Sequence, residues 1–211
     1  MSDQKISGYQ QIYLDLAKKL ECFNLAGNAP HLGLTASDGG VVVDFFNRAY
    51  RVDHDGVRPL DGGPAGVNHL SLIAHYAMSP GRGEPSGDFL PLSRLTGMVA
   101  GQGDFEKSMV DASLGRKFHG DESALAAAAE AIGGLDEGRD PSGGRVWLFR
   151  PFPKVTMKLV FHEADDEFEA EYRLLFDARG TDFMEFEALG FLTGVFVGEM
   201  CGEEDRGIFK P

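Results

Sequence analysis

The densest group of residues that could do chemistry lies between residues 162 and 169. His162 precedes an acidic segment that contains Asp165, Asp166 and Glu167, and Glu169 follows it. Carboxylates beside an imidazole favour its protonated form, so the group could act in acid–base chemistry or hold a hard cation. The same composition is typical of a solvated turn, because Asp is a common turn residue. The segment therefore predicts either a polar site or a plain acidic loop.

His75 is the second candidate, and it lies in a segment that predicts a helix. His69 shares that helix, but a spacing of six residues places the two imidazoles about 240° apart around it. They cannot bind one metal ion on a single face. The acidic segment at 162–169 also lacks the alternating ligands and the glycine of a calcium loop. The sequence thus predicts no metal site, and it identifies no cofactor.

Common catalytic and nucleotide-binding templates are not matched. The glycines at 81, 83 and 87 follow a predicted helix rather than a strand, and their spacing does not fit a dinucleotide-binding loop. The chain has no GxSxG nucleophile elbow and no HExxH motif. Whether the protein is an enzyme is therefore open at this point.

A predicted β-hairpin over residues 155–177 positions the acidic segment. Apolar and polar residues alternate on both sides of it, which is typical of two strands with one buried face. With a two-residue turn at 165 and 166, His162 lies opposite Glu169 on the polar face. A slip by one residue would bury the charges, so the choice of face is well specified.

The remaining elements predict a mixed α+β fold. A second hairpin is expected over 41–53, with its turn at Asn47 and Arg48 and with Asp44 opposite Arg51. A continuous apolar run predicts a strand near 145–149. Residues 24–40 and 135–144 are rich in loop-forming residues, and the second is the segment in which we expect disorder. Helices are predicted near residues 4–20, 67–78, 104–114, 121–132 and 183–200.

These elements predict a single α+β domain over residues 1–211, since the chain shows no repeat and no linker. The last helix carries Gly190, Gly194 and Gly198 on one face. Each glycine costs roughly 1 kcal/mol relative to alanine within a helix, so something is expected to pack closely there. That neighbour could be another element of the same chain or the same helix of a second copy in a homodimer.

Charge and hydropathy exclude some classes of partner. Acidic residues outnumber basic ones by 33 to 20, which gives a net charge of −13. A nucleic acid or an anionic membrane surface would repel such a chain. No apolar run approaches the roughly 18 residues of a membrane span, and the N-terminus lacks the apolar core of a signal peptide. A cytoplasmic location is the expectation.

The C-terminal third resembles a known family. The residues from Phe152 to Phe168, followed by Leu174–Asp177 and the last helix, resemble the signature of a prokaryotic family known only as a domain of unknown function. That signature is a proline-ended apolar strand, a Gly/Asp-Asp-Glu-Phe turn and Leu-Phe-Asp before a helix. Ala164 stands where glycine is common. The His75-Tyr76 pair and the segment at 91–92 resemble its middle, so the resemblance covers roughly residues 5 to 200.

The resemblance implies a bacterial or archaeal source, often an anaerobe. Some similar proteins join this domain to a four-cysteine iron–sulfur module. Such a cysteine set is absent from this chain, which has only Cys22 and Cys201, so any cluster would belong to a partner protein. The family implies no catalytic residues.

Two hypotheses of different class follow. The first is a non-catalytic binding or accessory module that serves anaerobic iron–sulfur or corrinoid metabolism through a redox or iron–sulfur protein partner. The second is an enzyme or small-ligand-binding protein with a pocket between the central helices and the hairpin, lined by His75, His162, Asp166 and Glu167. A structure in which these four side chains are dispersed would count against the second hypothesis.

Overall fold

The computed structural model describes residues 7–95 and 103–203, which form two antiparallel sheets surrounded by helices. The helices are α1 (Gly8–Leu20), α2 (Leu25–Leu32), α3 (Val67–Ala77), α4 (Leu92–Leu95), α5 (Gly103–Phe118), α6 (Glu122–Ala131), α7 (Gly180–Phe183) and α8 (Phe186–Cys201). The strands are β1 (Thr35–Ser37), β2 (Gly40–Phe45), β3 (Arg48–Asp53), β4 (Gly56–Pro59), β5 (Phe89–Leu90), β6 (Leu135–Arg139), β7 (Arg145–Phe152), β8 (Val155–His162) and β9 (Glu171–Asp177). The predicted α+β class is confirmed; the extent of a single domain stays a prediction.

The sheets have simple orders. The first runs β1-β2-β3-β4, and the second runs β5-β9-β8-β7-β6. They share one hydrophobic core, in which the Phe45 ring of the first sheet lies 4.8 Å from the Phe152 ring of the second. Tyr76 of α3 stacks on Phe152 at 4.3 Å, and Phe196 of α8 meets Phe149 edge-on at 4.9 Å. Helices α3 and α8 therefore both pack on β7 of the second sheet through aromatic contacts.

The first helix begins with a capping box. The Ser7 hydroxyl accepts a hydrogen bond from the Gln10 amide, and the Gln10 side chain accepts one from the Ser7 amide. The predicted start of this helix at residues 4–6 lies outside the described residues. Leu16 and Leu20 form the buried stripe of α1 and pack it against α3.

The 41–53 hairpin exists, but its predicted register is wrong by two residues. The turn consists of Phe46 and Asn47, so Asp44 faces Ala49 and not Arg51. Both turn residues have positive φ, 44° and 63°, as a tight turn of mirror-image type requires. Phe rarely adopts this conformation, so the sequence did not suggest it as a turn residue. The cost is offset because the Phe46 ring is buried against Phe45 and Phe196.

The 155–177 hairpin is also displaced by two residues from the prediction. His162 lies opposite Glu171, not Glu169, and the connection is the longer loop 163–170 rather than a two-residue turn. Because side chains alternate with a period of two, this shift leaves every residue on its predicted face. Met157, Leu159 and Phe161 are accordingly fully buried.

Two segments predicted as loops are ordered elements. Residues 24–40 contain α2, which Asn24 caps through the Gly27 amide at 3.0 Å and which Gly33 ends in the left-handed conformation, together with β1. Residues 135–144, where disorder was expected, contain the edge strand β6. Its side chains are mostly exposed, so it lacked the apolar signal of a buried strand.

The last helix begins later than predicted. The expected capping box at Asp182 is not formed; instead α7 ends at Phe183, Met184 is extended, and α8 begins after Glu185. Phe183 and Met184 are both buried. The burial of these two side chains at the bend between α7 and α8, which we call the α7–α8 corner, offsets the loss of a continuous helix. This corner is part of the candidate site.

Among the described residues, no helix is both long and apolar enough to cross a membrane.

Candidate functional site

The acidic loop at 163–170 is organised by its own first aspartate. The Asp165 carboxylate accepts hydrogen bonds from the backbone amides of Glu167 at 2.8 Å and Phe168 at 2.7 Å. The side chains of Asp165, Asp166, Glu167 and Glu169 are all exposed. Phe168 is 69% exposed at the tip of the loop. The carboxylates thus point into solvent rather than converge on one position.

His162 turns away from this loop toward the β6–β7 connection. Its Nε2 lies 3.0 Å from the Ser142 hydroxyl, which in turn lies 2.7 Å from the Asp140 carboxylate. The hydrogen bond from Ser142 holds the pKa of Asp140 below its usual range, and the amides of Gly144 and Ser142 and the nearby imidazole add to the effect. The imidazole packs directly on Gly144, where an added Cβ would lie 2.7 Å from the ring.

The hydrogen bonds that link His162, Ser142 and Asp140 run in a different direction from those of a catalytic triad. The Ser142 hydroxyl donates to Asp140, so His162 Nε2–H must donate to Ser142 rather than accept from it. His162 Nδ1 is buried and has no hydrogen-bond partner among the described residues. This geometry orders the connection and does not activate Ser142 as a nucleophile.

His75 lies elsewhere, on α3. Its Nε2 is 3.9 Å from a carboxylate oxygen of Glu185, which is beyond hydrogen-bonding distance. All six predicted site residues are described, and no hydrogen bond or ion pair joins the side chains of any two of them; the Asp165 carboxylate accepts from the backbone amide of Glu167. Within residues 7–95 and 103–203, no group of three or more His, Cys, Asp and Glu side chains could hold a metal ion.

A cleft of about 480 Å³ opens beside His75, between α1, α3 and the α7–α8 corner. Its volume lies within the range typical of small-molecule sites. Its apolar lining comes from four separate stretches of the chain: Leu16, Phe23, Met78, Phe183 and Met184. Leu16, Phe183 and Met184 are buried, so they form a fixed apolar floor.

The ionisable side chains of the cleft are Lys19, His75, Asp182 and Glu185. Asp182 is already paired, since Arg179 Nε donates to it at 2.7 Å. Glu185 is 78% exposed and approaches only His75. The Lys19 ammonium has no acceptor among the described residues. An apolar floor with charged groups at its rim is the arrangement expected for an amphipathic ligand.

Ser79 and Pro80 of the cleft begin a loop whose far end is held by a buried carboxylate. Asp177, 1% exposed at the end of β9, accepts hydrogen bonds from the amides of Ser86 at 2.9 Å, Gly87 at 2.7 Å and Arg179 at 2.9 Å, and from the Ser86 hydroxyl at 3.0 Å. Burial alone would raise the pKa of Asp177. The hydrogen bonds outweigh it and hold this pKa below its usual range.

Arg179 and Asn28 fasten the same loop at other points. Arg179 donates to the carbonyls of Glu84 at 2.8 Å and Arg82 at 3.0 Å, in addition to its pair with Asp182. The buried amide of Asn28 donates to the carbonyls of Ala77 at 3.1 Å and Ser79 at 2.8 Å. Polar contacts within the chain therefore hold the loop that contributes Ser79 and Pro80 to the cleft.

Sequence reasoning found His75 but missed Lys19, Asp177 and Asn28. Asp177 was noticed only as part of the family signature. Its signal was a carboxylate at the end of an apolar strand, which must find donors when it is buried. Lys19 gives no such signal, because an exposed lysine in the last turn of a helix is ordinary.

The glycine face of α8 has neighbours within the chain. An added Cβ at Gly190 would lie 3.8 Å from Leu92, one at Gly198 would lie 3.4 Å from the Glu203 carbonyl, and Gly194 is buried. These distances are ordinary van der Waals contacts, so they do not account for the unusually close packing that was predicted at this face. The homodimer through the same face stays a prediction.

Within the described residues, these features define an α+β protein with two antiparallel sheets and an amphipathic cleft beside His75. The chain belongs to the family described as Domain of unknown function (DUF3786), which matches residues 24–199. The matched segment contains both sheets and most of the cleft. Searches of the curated proteins and of the solved structures gave no match.

Proposed function

We propose that this protein is a non-catalytic binding module that holds a small amphipathic molecule in the cleft beside His75. One observation supports the proposal most directly: the cleft combines a buried apolar floor with a charged rim, on which Asp182 has an ion-pair partner and Lys19 has none among the described residues. A cavity of this size falls within the range typical of small-molecule sites. Asp177, Arg179 and Asn28 hold the loop 79–88, which contributes Ser79 and Pro80 to the cleft, and this order reduces the entropic cost of binding.

The cleft also supports a narrower form of the pocket hypothesis. His75 contributes to it, whereas His162, Asp166 and Glu167 lie on the 155–177 hairpin outside it. The polar site on that hairpin remains a separate proposal. The hydrogen bonds that link Asp140, Ser142 and His162 support it, because they hold the His162 imidazole in place.

A blocking variant tests the proposed site. Thr181 lines the cleft and is exposed, so Thr181→Trp should fill the cleft without disturbing the core. Thr35→Trp on β1 is the matched control, because Thr35 is equally exposed and lies outside the lining. The probes are small arylalkyl carboxylates, amines and amides, measured by saturation-transfer NMR and by titration of amide chemical shifts.

We expect at least one probe to shift the amides of Met78 and Met184 in the native protein. Its binding should disappear in Thr181→Trp and persist in Thr35→Trp. Binding that survives Thr181→Trp with unchanged affinity, or shifts confined to another surface, would contradict the proposal.

The partner and location follow from the resemblance and the charge. We propose a cytoplasmic protein that works with a redox or iron–sulfur partner rather than with nucleic acid. Affinity capture from the native host should return such a protein, and capture of none would count against it. Sedimentation at increasing concentration tests the homodimer: Gly190→Leu should abolish any dimer that forms through the glycine face.

A further inference from the structure

The charges at the rim of the cleft indicate which kind of head group its ligand carries. Asp182 is neutralised by Arg179 Nε at 2.7 Å. Glu185 is next to His75, and its high exposure leaves it free to turn into water. The Lys19 ammonium, which no described side chain pairs, is the cation available to a ligand. An anionic group in the cleft would gain this charge as its partner, while a cationic group would be repelled by it.

The same rim disfavours ligands of higher negative charge. Because Asp182 is already paired with Arg179, the one unpaired cation lies beside one unpaired carboxylate, Glu185, and the whole chain carries a net charge of −13. A phosphate ester with two negative charges would meet more repulsion than attraction here. One unpaired cation suits a single carboxylate, whose second oxygen can accept from His75 Nε2.

The floor defines the rest of the molecule. Phe23, Met78 and the largely buried Phe183 are among the residues that line the cleft and give it an aromatic and thioether character. Methionine side chains adapt their shape and make favourable contacts with aromatic rings. A compact apolar body, aryl or branched alkyl, would fill this space better than a polar one.

We propose that the cleft binds monocarboxylic acids with a compact apolar body, with the carboxylate held by Lys19 and His75 and the body on the methionine and phenylalanine floor. This inference rests on the proposed function, because it names the class of ligand for the same site.

The test uses four probes with one apolar body and different head groups: 4-phenylbutyrate, 4-phenylbutyramide, 4-phenylbutylamine and 4-phenylbutyl phosphate. Dissociation constants are measured by calorimetry or amide titration with the full chain. We expect the carboxylate to bind about five- to tenfold more tightly than the amide, and the amine and the phosphate more weakly than both.

Variants then assign the effect to the rim. Lys19→Gln should weaken binding of 4-phenylbutyrate about fivefold and leave the amide unchanged. Lys18→Gln is the matched control, since Lys18 is exposed on the same helix but does not line the cleft. Glu185→Gln should tighten the carboxylate about twofold and relieve the exclusion of the phosphate.

The outcomes separate this inference from the proposed function. If the amide or the amine binds as tightly as the carboxylate, or if Lys19→Gln leaves the carboxylate affinity unchanged, the ligand class is wrong while the cleft remains a binding site. If none of the four probes shifts the cleft amides, both the ligand class and the proposed site are overturned.

Discussion

Replacing Asp177 by Asn should loosen the wall of the cleft and destabilise the protein by about 3 kcal/mol at neutral pH. One carboxylate oxygen accepts from the Ser86 amide, the Ser86 hydroxyl and the Arg179 amide, and the other accepts only from the Gly87 amide. An asparagine that keeps its oxygen toward the first three donors turns its NH2 group toward the Gly87 amide.

The magnitude follows from these four contacts. The bond to Gly87 is lost and replaced by two opposed donors, which costs about 1–2 kcal/mol. The other three bonds change from a charged to a neutral acceptor, and each weakens by roughly half a kcal/mol. The total of about 3 kcal/mol would be a large part of the stability of an ordinary domain.

The destabilisation caused by Asp177→Asn should depend on pH, in a direction that follows from the lowered pKa of Asp177. The folded protein holds the pKa of Asp177 below its unfolded value, so the stabilisation is fully present above the usual pKa of aspartate. It is lost as the pH falls through the lowered, folded value. Asparagine mimics the protonated acid, so the difference in unfolding free energy between native protein and variant should shrink toward zero in acid.

Urea unfolding from pH 7 to pH 3 measures this difference, and hydrogen exchange reports the loop directly. The amides of Ser86, Gly87 and Arg179 should exchange faster in Asp177→Asn. Asp88→Asn is the control, because Asp88 is an exposed carboxylate of the same loop with no side-chain partner among the described residues. A difference that does not change with pH, or unaltered exchange at the three amides, would refute the reasoning.

Three further predictions concern the scaffold. Hydrogen bonds from Arg58 and Arg51 outweigh the opposing effect of burial and lower the pKa of Asp53 to about 2, so we expect roughly 2 kcal/mol of stability that is present above pH 4 and lost as the pH falls toward 2. Urea unfolding of the native protein and Asp53→Asn in parallel checks this. Gly40→Ala should cost at least about 2 kcal/mol, because an added Cβ would overlap the Val52 carbonyl oxygen, whereas Gly8→Ala, with open space around it, should be close to neutral. Phe168→Ala should change thermal stability by less than about 0.5 kcal/mol, and Phe161→Ala on the buried face of the same hairpin should cost about 3–5 kcal/mol.

The two hairpins show which part of a sheet a sequence specifies. Alternation specifies the face of each residue, so the buried faces at 155–161 and 172–176 were predicted correctly although both registers were displaced by two residues. The register depends on the turn, and both turns use chemistry that a sequence conceals. Phe46 adopts a positive φ because its ring is buried on Phe196, and Asp165 closes a longer loop through backbone amides.

The acidic segment was predicted as a candidate site from its composition alone. Carboxylates that are close in sequence alternate in direction or point into water, so their density did not bring them together in space. His162 instead bonds to Ser142, a residue of a segment that was expected to be disordered. Ser142 lies twenty residues away in a predicted loop, so no periodic pattern in the sequence indicated it as a partner. The position of His162 in a strand did follow from such a pattern.

The cleft was missed for a single structural reason. The spacing from Asp182 to Glu185 matched a capping box, and it predicted one unbroken helix from residue 183. A continuous helix would have placed Met184 and Glu185 on its first turn and removed the corner that forms one wall. The burial of Phe183 and Met184 outweighs the local preference for a cap, and this same burial opens the space between the corner and His75. A substitution that restores the cap, such as Met184→Ala with Asp182→Ser, should therefore tend to extend α8 toward residue 183 and reduce binding in the cleft; unchanged chemical shifts at residues 181–187 together with reduced binding would contradict this link.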